Sequence, residues 1–490
     1  MTTPSPTFVE LRPGAYADSV ALLQVSRRVA DRPGVAAAQV AMATALNVEV
    51  LTQMGFAVPA GATTNDLVVA IRLRPDAADD ALAAALTAVD EALSARSERT
   101  GAAEVAPHRT TGAALRHLPD TLALVSVPGP SATVEAMDAL DAGRDVMLFS
   151  DNVPLAQEVA LKRLAAERGL LVMGPDCGTA VLGGLGLGFA NACEPGPVGL
   201  VAASGTGCQH LLSLLDHAGV GVTHALGVGG RDLSEEVGGL STREALRRLD
   251  EDPGVELIVV VSKPPATAVA TAIEEYAASL ATPVELAFLG PGRPDLTAAA
   301  ERVLTRLGRD VPAWPVTGRA MTPLVEEGAQ QPSRNRGATL HGLFVGGTLC
   351  QEARIIAEEA RGPDIGEFID FGADELTRGR AHPMIDPALR LEHLARTATD
   401  PDTGVLLLDV VLGHGAEPNP VARLAPAIAA ARADRDLPVV VCCVGTAGDP
   451  QGLARQVAVL AAAGAEVHLS NAAATRRALG LLGTAPGGQR

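Results

Sequence analysis

The sequence predicts a chain of several α/β domains with parallel sheets, and three observations carry that expectation. Short runs of valine, leucine and alanine repeatedly end in a cluster of glycine, serine, threonine or proline, after which a helical pattern begins. Strand, turn and helix repeated in that order imply crossover connections and parallel pairing. The 490 residues suit three or four domains at about 150 residues each. Hydrophobic residues make up 47% of the chain but aromatic residues only 2%, a composition suited to small side chains packed closely between layers.

The elements follow in order. In residues 1–112, apolar runs at 8–11, 35–42 and 67–73 alternate with helical patterns at 19–30 and 81–95. They give a small βαβ-type cap or assembly domain with no polar cluster of catalytic character. Residues 100–112 have the composition of a linker. In residues 113–194, strands at 122–127, 146–149 and 170–173 alternate with helices at 131–142 and 155–168. Ligands in such sheets sit beyond the carboxyl ends of the strands, here Pro128-Gly129, Ser150-Asp151-Asn152 and residues 174–178. No Gly-x-Gly-x-x-Gly follows the first strand, so a dinucleotide site fits poorly.

Residues 195–330 hold strands at 198–202, 222–228, 257–261 and 284–289, with a helix beginning near Gln209 and another around 243–249. Residues 317–337 read as a second linker. In residues 331–490, strands at 340–345, 404–411 and 438–444 run into Gly346-Gly347-Thr348, Gly413-His414-Gly415 and Gly445-Thr446-Ala447-Gly448. Helices continue through Glu359 and at 421–431, so the last two units look like two copies of one architecture.

A net charge of −18 argues against nucleic acid or an anionic membrane as the main partner. With no basic region before an apolar core at the start and no segment of about 18 uninterrupted apolar residues, a cytoplasmic chain is expected. Cys177, Cys193, Cys208, Cys350, Cys442 and Cys443 have no paired C-x-x-C spacing, so neither a zinc knuckle nor a disulfide framework is expected. Lys162 and Lys263 are the only lysines, which draws notice to both.

The densest chemistry lies in residues 196–232. A buried-strand pattern there breaks into Ser204-Gly205-Thr206-Gly207 before a helix. Unpartnered first-turn amides, glycines that admit an anion and two hydroxyls make a phosphate or carboxylate site, or else an ordinary N-cap. Asp151 or Asn152 either contacts a ligand or caps the helix beginning at Pro154. Residues 380–386, which gather Arg380, His382 and Asp386, are either a ligand contact or a structural loop. His210, His217 and His224 lack carboxylates at ligand spacing and read as helix and core histidines, with no metal set.

The motifs GPVGLVAASGTG (196–207), LLVMGPDCGTA (170–180), VTHALGVGGRDLSEEVGG (222–239), VSKPP (261–265), GLFVGGTL (342–349), GRAHPMIDP (379–387) and LLLDVVLGHGA (406–416) together resemble the FdrA family of the succinyl-CoA synthetase superfamily. The resemblance covers nearly all of residues 113–485 and is weaker before them. It implies a Rossmann-like CoA-binding-type domain at 113–194, an alpha-subunit-like ligase domain at 195–330 and a beta-subunit-like ligase domain at 331–490, both flavodoxin-like. It also implies two helix starts facing each other, Ser204 to Gly207 and either Gly413 to Gly415 or Gly445 to Gly448.

Two departures stand out. Where the synthetases carry a phosphorylated histidine, this chain reads Leu289-Gly290-Pro291-Gly292-Arg293, and no segment resembles an ATP-grasp domain. Lys263 stands where the synthetases place a glutamate turn, which favours a free anion. The family's association with ureide breakdown implies carbamoyl transfer without ATP, oxalurate and phosphate giving oxamate and carbamoyl phosphate. Ser204 to Gly207, Gly413, His414, Gly415, Gly445 and Thr446 would hold the anion, and Lys263, Arg231 and His382 would be the catalytic groups. A separate protein subunit would complete the site, and the chain would form an oligomer. The alternatives are an acyl-CoA ligase subunit binding CoA at Ser150, Asp151 and Asn152, and a non-catalytic scaffold.

Overall fold

The structure, a computed structural model, describes residues 6–482 apart from 16, 18, 98–107, 119–120, 320–336 and 378–380. Most of both linkers, and Arg380, therefore lie outside the described residues. The chain forms two compact units, Met1–Arg109 with Thr377–Ala381, and Thr110–Leu376 with His382–Arg490.

The first unit runs β1 (Thr7–Pro13), α1 (Ser19–Ala30), β2 (Val35–Met42), α2 (Ala45–Gln53), β3 (Asp66–Leu73) and α3 (Ala81–Ser97). Its sheet has the order β1-β3-β2, both pairings antiparallel. The β1-α1-β2 crossover is thus a βαβ unit split by β3. Alternate residues of β3 build two cores: Leu67, Val69 and Ile71 pack in one, Val68 and Ala70 in the other.

The second unit opens with α4 (Thr111–Leu115), β4 (Ala123–Val125), α5 (Gly129–Asp141), β5 (Val146–Leu148), α6 (Leu155–Glu167) and β6 (Val172–Met173). Its three strands form a parallel sheet in the order β4-β5-β6. A hairpin follows, β7 (Thr179–Leu182) and β8 (Leu185–Gly188), then β9 (Val198–Ala203), α7 (Gly205–His217), β10 (Val222–Gly227), α8 (Leu240–Asp250), β11 (Leu257–Ser262), α9 (Thr267–Ala278), β12 (Val284–Phe288) and α10 (Leu296–Arg306). The sheet order is β12-β11-β9-β10-β7-β8, with β9 to β12 parallel and the hairpin antiparallel along one edge. Residues 179–188, which read as the tail of the preceding unit, pair here.

The last sheet is built from β13 (Val316–Thr317), β14 (Thr339–Phe344), α11 (Gly347–Arg361), β15 (Gly366–Asp370), α12 (Asp374–Thr377), α13 (Ala388–Thr399), β16 (Thr403–Val411), α14 (Val421–Ala431), β17 (Val439–Val444), α15 (Leu453–Ala462), β18 (Glu466–His468) and α16 (Asn471–Leu481). Its order is β13-β18-β17-β16-β14-β15, parallel except at β13. Every residue of β9, β11, β16 and β17 is buried, as central parallel strands covered on both faces require.

A buried ion network joins the 110–178 layer to the sheet that follows. Lys162 Nζ, wholly inaccessible, donates to Glu158 Oε1 at 2.9 Å, Asp232 Oδ1 at 2.7 Å and the Val228 carbonyl at 2.8 Å. Asp232 also accepts from the Ser241 and Thr242 amides and the Thr242 hydroxyl, and so caps α8 from a distance. Removing one partner of such a network strands a buried charge. Asp232→Ala is expected to destabilise the fold by about 3 kcal/mol, seen as a lowered urea midpoint; an unchanged midpoint would show that the network adds nothing.

Candidate functional site

Two helix starts meet at the carboxyl ends of two parallel sheets. After β9, Ser204 is extended (φ −168°) and caps α7, its Oγ accepting from the Gly207 amide at 3.0 Å. After β14, α11 begins with no side-chain cap of its own. Asp409 of β16 serves instead, accepting from the Val345 and Gly346 amides at 2.8 Å each. Asp409 is wholly buried beside Arg390, 3.1 Å away. Burial pushes its carboxyl up, opposed by Arg390 and the two amides.

The Ser204 and Thr348 hydroxyls are hydrogen-bonded to each other, joining α7 to α11. Close approach depends on glycine. A Cβ on Gly207 would lie 2.5 Å from Ser204 Oγ, 3.1 Å from Thr348 Cγ2 and 3.2 Å from Val261 Cγ2. A Cβ on Gly346 would lie 3.1 Å from Thr206 Cβ.

Register supplies the flanking groups. Ser262 pairs with Ala203, which sets Lys263 beside Ser204 at the end of β11. Asp370 pairs with Phe344, which sets it beside the start of α11. The two straddle Gly347: Lys263 Nζ is 2.8 Å from where its Cβ would stand, and Asp370 Oδ2 touches the same place. Burial raises the Asp370 carboxyl, opposed by Lys263 and by the Gly372 amide, which donates to Oδ1 at 2.9 Å.

His382 completes the cluster. Its Nδ1 accepts from the Met384 amide at 3.2 Å, which leaves the proton on Nε2, and Nε2 lies 2.7 Å from the Cβ position of Gly372. Desolvation pushes the imidazole down to about 4, so the ring is neutral at pH 7. It packs against Phe189 at 5.8 Å, which packs on Phe149 at 5.4 Å. A cation, a carboxylate, a neutral imidazole and the positive ends of two helix dipoles are thereby gathered in one place.

Lys263, His382, Ser204, Gly205, Thr206 and Gly207 belong to this cluster. The Ser204 hydroxyl, expected to bind phosphate, accepts from the Gly207 amide and is hydrogen-bonded to Thr348. Gly413, His414, Gly415, Gly445 and Thr446 do not form the opposing helix start. Helix α14 begins at Val421 and α15 only at Leu453. Both loops grip residues 188–192 instead: the His414 amide and Thr446 Oγ1 donate to the Ala190 and Ala192 carbonyls, and a Cβ on Gly415 would stand 2.9 Å from the Gly188 carbonyl. The amides of Gly413 and Thr446 are taken by Gln451 and Asp449, and Gly445 packs on Leu412.

Arg231 is directed elsewhere too, its guanidinium bonded to Glu158 and the Val153 carbonyl. Ser150 Oγ donates to the Val127 and Val125 carbonyls. Asp151 and Asn152 are exposed, and the N-cap of α6 is Pro154, which has no side-chain bond. Sequence reasoning did not single out Gly346, Gly347, Thr348, Asp370 or Asp409 as site residues. The Gly-Gly-Thr turn after β14 was the available signal for the first three.

The chain matches the family described as CoA-ligase over residues 343–481, that described as CoA binding domain over 194–285, and that described as AllF, heavy metal-associated domain, over 3–108. The uncharacterized protein YahF of Escherichia coli (strain K12) is 37% identical over 497 residues, covering 93% of this chain and 95% of YahF. The chain belongs to the FdrA family of the succinyl-CoA synthetase superfamily. This FdrA-family chain is also 28% identical over 176 residues to subunit alpha of ADP-forming succinate–CoA ligase from Staphylococcus aureus (strain Mu50 / ATCC 700699), covering 35% of this chain and 56% of that subunit. Among solved structures, dinucleotide-forming acetyl-coenzyme A synthetase 1 of Ca. Korarchaeum cryptofilum, in complex with phosphate and ADP, is 15% identical at a TM-score of 0.30, covering 76% of this chain and 87% of that one.

The matches make this an acyl-CoA synthetase-like, ligase-like chain. Its segment 3–108 contains no cysteine and one histidine, His108, and among the described residues no cluster of metal-ligating side chains occurs. No helix among the described residues is long and apolar enough to cross a membrane.

Two outcomes follow from this geometry. Gly207→Ala is expected to cost about 1–3 kcal/mol, because the side chains of Ser204, Thr348 and Val261 leave its Cβ no room; a thermal midpoint equal to that of the parent would refute the packing account. For His382 the unfolded imidazole takes a proton near its ordinary 6.5 and the native one only near 4. Between those values the unfolded state binds more protons, so native stability falls as pH drops through the window and is level above it. Glu352, raised by burial to about 7, acts in the opposite sense, its contribution falling as pH rises from 4.5 to 7. His382→Asn should therefore reduce the acid-side loss of thermal midpoint between pH 6.5 and 4.5; an unaltered slope would exclude His382 as its source.

Proposed function

We propose that this chain is an acyl-CoA ligase-like subunit that passes an acyl group between phosphate and the CoA thiol, with the phosphoryl group held at the start of α7 beside Lys263. The observation that carries the proposal is the convergence of α7 and α11 through Ser204 and Thr348, flanked by Lys263 and Asp370. Acyl phosphate and CoA thiol give acyl-CoA thioester and phosphate. The thiol sulfur bonds to the acyl carbon, the acyl–oxygen bond to phosphate breaks, and the thiol proton leaves to solvent.

The first-turn amides of α7 and the Lys263 ammonium stabilise the phosphate oxygens. The Nε2–H of His382, a neutral donor, meets charge growing on the acyl carbonyl oxygen. The likeness to succinate–CoA ligase subunit alpha and to the CoA-ligase family supports this reading. A separate polypeptide supplies ATP-dependent formation of the acyl phosphate. CoA enters from the exposed turn at Asp151 and Asn152, where Arg231 reaches the Val153 carbonyl.

The residues at 289–293 favour a second reading. With no histidine there to carry phosphate, the same site suits carbamoyl transfer between oxalurate and free phosphate, giving oxamate and carbamoyl phosphate.

The chain, alone and with proteins encoded beside it, is to be incubated with acetyl phosphate or succinyl phosphate and CoA, and separately with carbamoyl phosphate and oxamate. CoA-dependent release of phosphate is the expected outcome. Oxamate-dependent consumption of carbamoyl phosphate without any CoA reaction would replace the first reading by the second. Lys263→Met is expected to lower kcat/KM about a hundredfold, as removal of one charge-stabilising donor does; retention of full activity would sink the role given to Lys263.

A further inference from the structure

The mouth of α7 contains a polar group that no hydrogen bond explains. Thr179, the first residue of β7, is 2% exposed, and its Oγ1 is buried with no partner. Buried hydroxyls almost always find an acceptor, commonly a nearby carbonyl, so an orphan calls for a reason. The hydroxyl is aimed at the first residue of α7: Thr179 Oγ1 is 3.7 Å from where a Cβ on Gly205 would stand. The position is fixed by pairing, because β7 runs antiparallel to β10, and β10 is the neighbour of β9, from which α7 springs. Gly205 has ordinary negative-φ backbone geometry and nothing else within 4 Å of that Cβ position. The absence of a side chain there is therefore not demanded by conformation or crowding, and it keeps open the space between the hydroxyl and the helix start.

We infer that Thr179 Oγ1 and the Gly205 amide are two donors to one oxygen of the phosphoryl group bound at α7. The inference rests on the reading of α7 as the phosphate-holding helix and adds a binding residue to it. The Ser204 and Thr348 hydroxyls bond to each other, so one of their two protons is used between them. Thr179 thus adds a side-chain hydroxyl from β7 to the donors of the turn itself. Free phosphate and the phosphoryl end of an acyl phosphate present the same oxygen chemistry to these donors.

The full chain is to be titrated calorimetrically with inorganic phosphate and, separately, with acetyl phosphate. Thr179→Val keeps the shape and loses the donor, and is expected to weaken binding about tenfold, the scale of a hydrogen bond to a charged group. Thr179→Ser is expected to retain parental affinity. Gly205→Ala, whose methyl has room in the folded chain, is expected to weaken binding comparably without lowering the thermal midpoint. Weakening towards acetyl phosphate alone assigns the site to the acyl phosphate, and weakening towards both assigns it to either source. If the parent binds phosphate and Thr179→Val binds it equally well, the assignment of Thr179 is overturned while α7 keeps its role. Equal losses in the valine and serine variants likewise overturn it, in favour of packing. If the parent binds neither probe, the reading of α7 falls with it.

Discussion

The structure depends on holding the amino-terminal ends of two helices against each other. Each end carries roughly half a positive charge from its unpartnered amides, so the contact between Ser204 and Thr348 sets like charges together. The arrangement stands because the two ends are not treated alike. Helix α11 has Asp409 accepting from the amides at its mouth and Asp370 beside Gly347. Helix α7 has no acidic cap, only the Ser204 hydroxyl on the Gly207 amide, and Lys263 stands in register next to it. Protein carboxylates offset the field of one helix, and the other is left to an anion from outside.

The glycines serve this contact more than they serve a ligand. At Gly207 and Gly346 the missing side chains let α7 and α11 approach, each with a residue of the other helix start close to its Cβ position. Gly205 differs, since only the Thr179 hydroxyl faces it, at an ordinary contact distance. One turn of four residues thus divides its labour. Ser204 and Gly207 fasten the helices together, while the Gly205 and Thr206 amides belong to the first turn of α7 and have no partner within the helix.

Much of the fold was legible in the sequence because it is local. The apolar runs of residues 110–482 that end in small residues became strands of parallel sheets, whereas those of the first unit pair antiparallel, and the Ser204 cap lay where the pattern changed from strand to helix. Recognising which small-residue turn begins a helix was harder. The run at Gly445 is as rich in small residues as the one at Gly346, yet Asp449 turns back onto the Thr446 amide and the chain does not become helical until Leu453, after Gly452 at φ 72°. The hairpin of β7 and β8 was overlooked although Gly183 and Gly184, both at positive φ, make the two-residue turn that such hairpins use. Asp370 and Asp409 each stand within an apolar run, and only the strand order reveals that both end beside α11.

The two lysines show why composition alone could not separate structural charge from charge available to a ligand. Lys162 has three buried acceptors, and its ammonium is consumed in joining one layer to the next. Arg231, which the sequence placed at the phosphate, shares Glu158 with it and belongs to the same joint. Lys263 emerges from the end of a central strand into an exposed turn, across Gly347 from a single carboxylate. Both side chains follow an apolar pattern in sequence, but a lysine on the buried face of a helix must find its partners within the fold, whereas one at the end of β11 projects where parallel sheets place their ligands. Position along the strand or helix therefore decides the outcome, and strand register with Ala203 is what makes Lys263 part of the site.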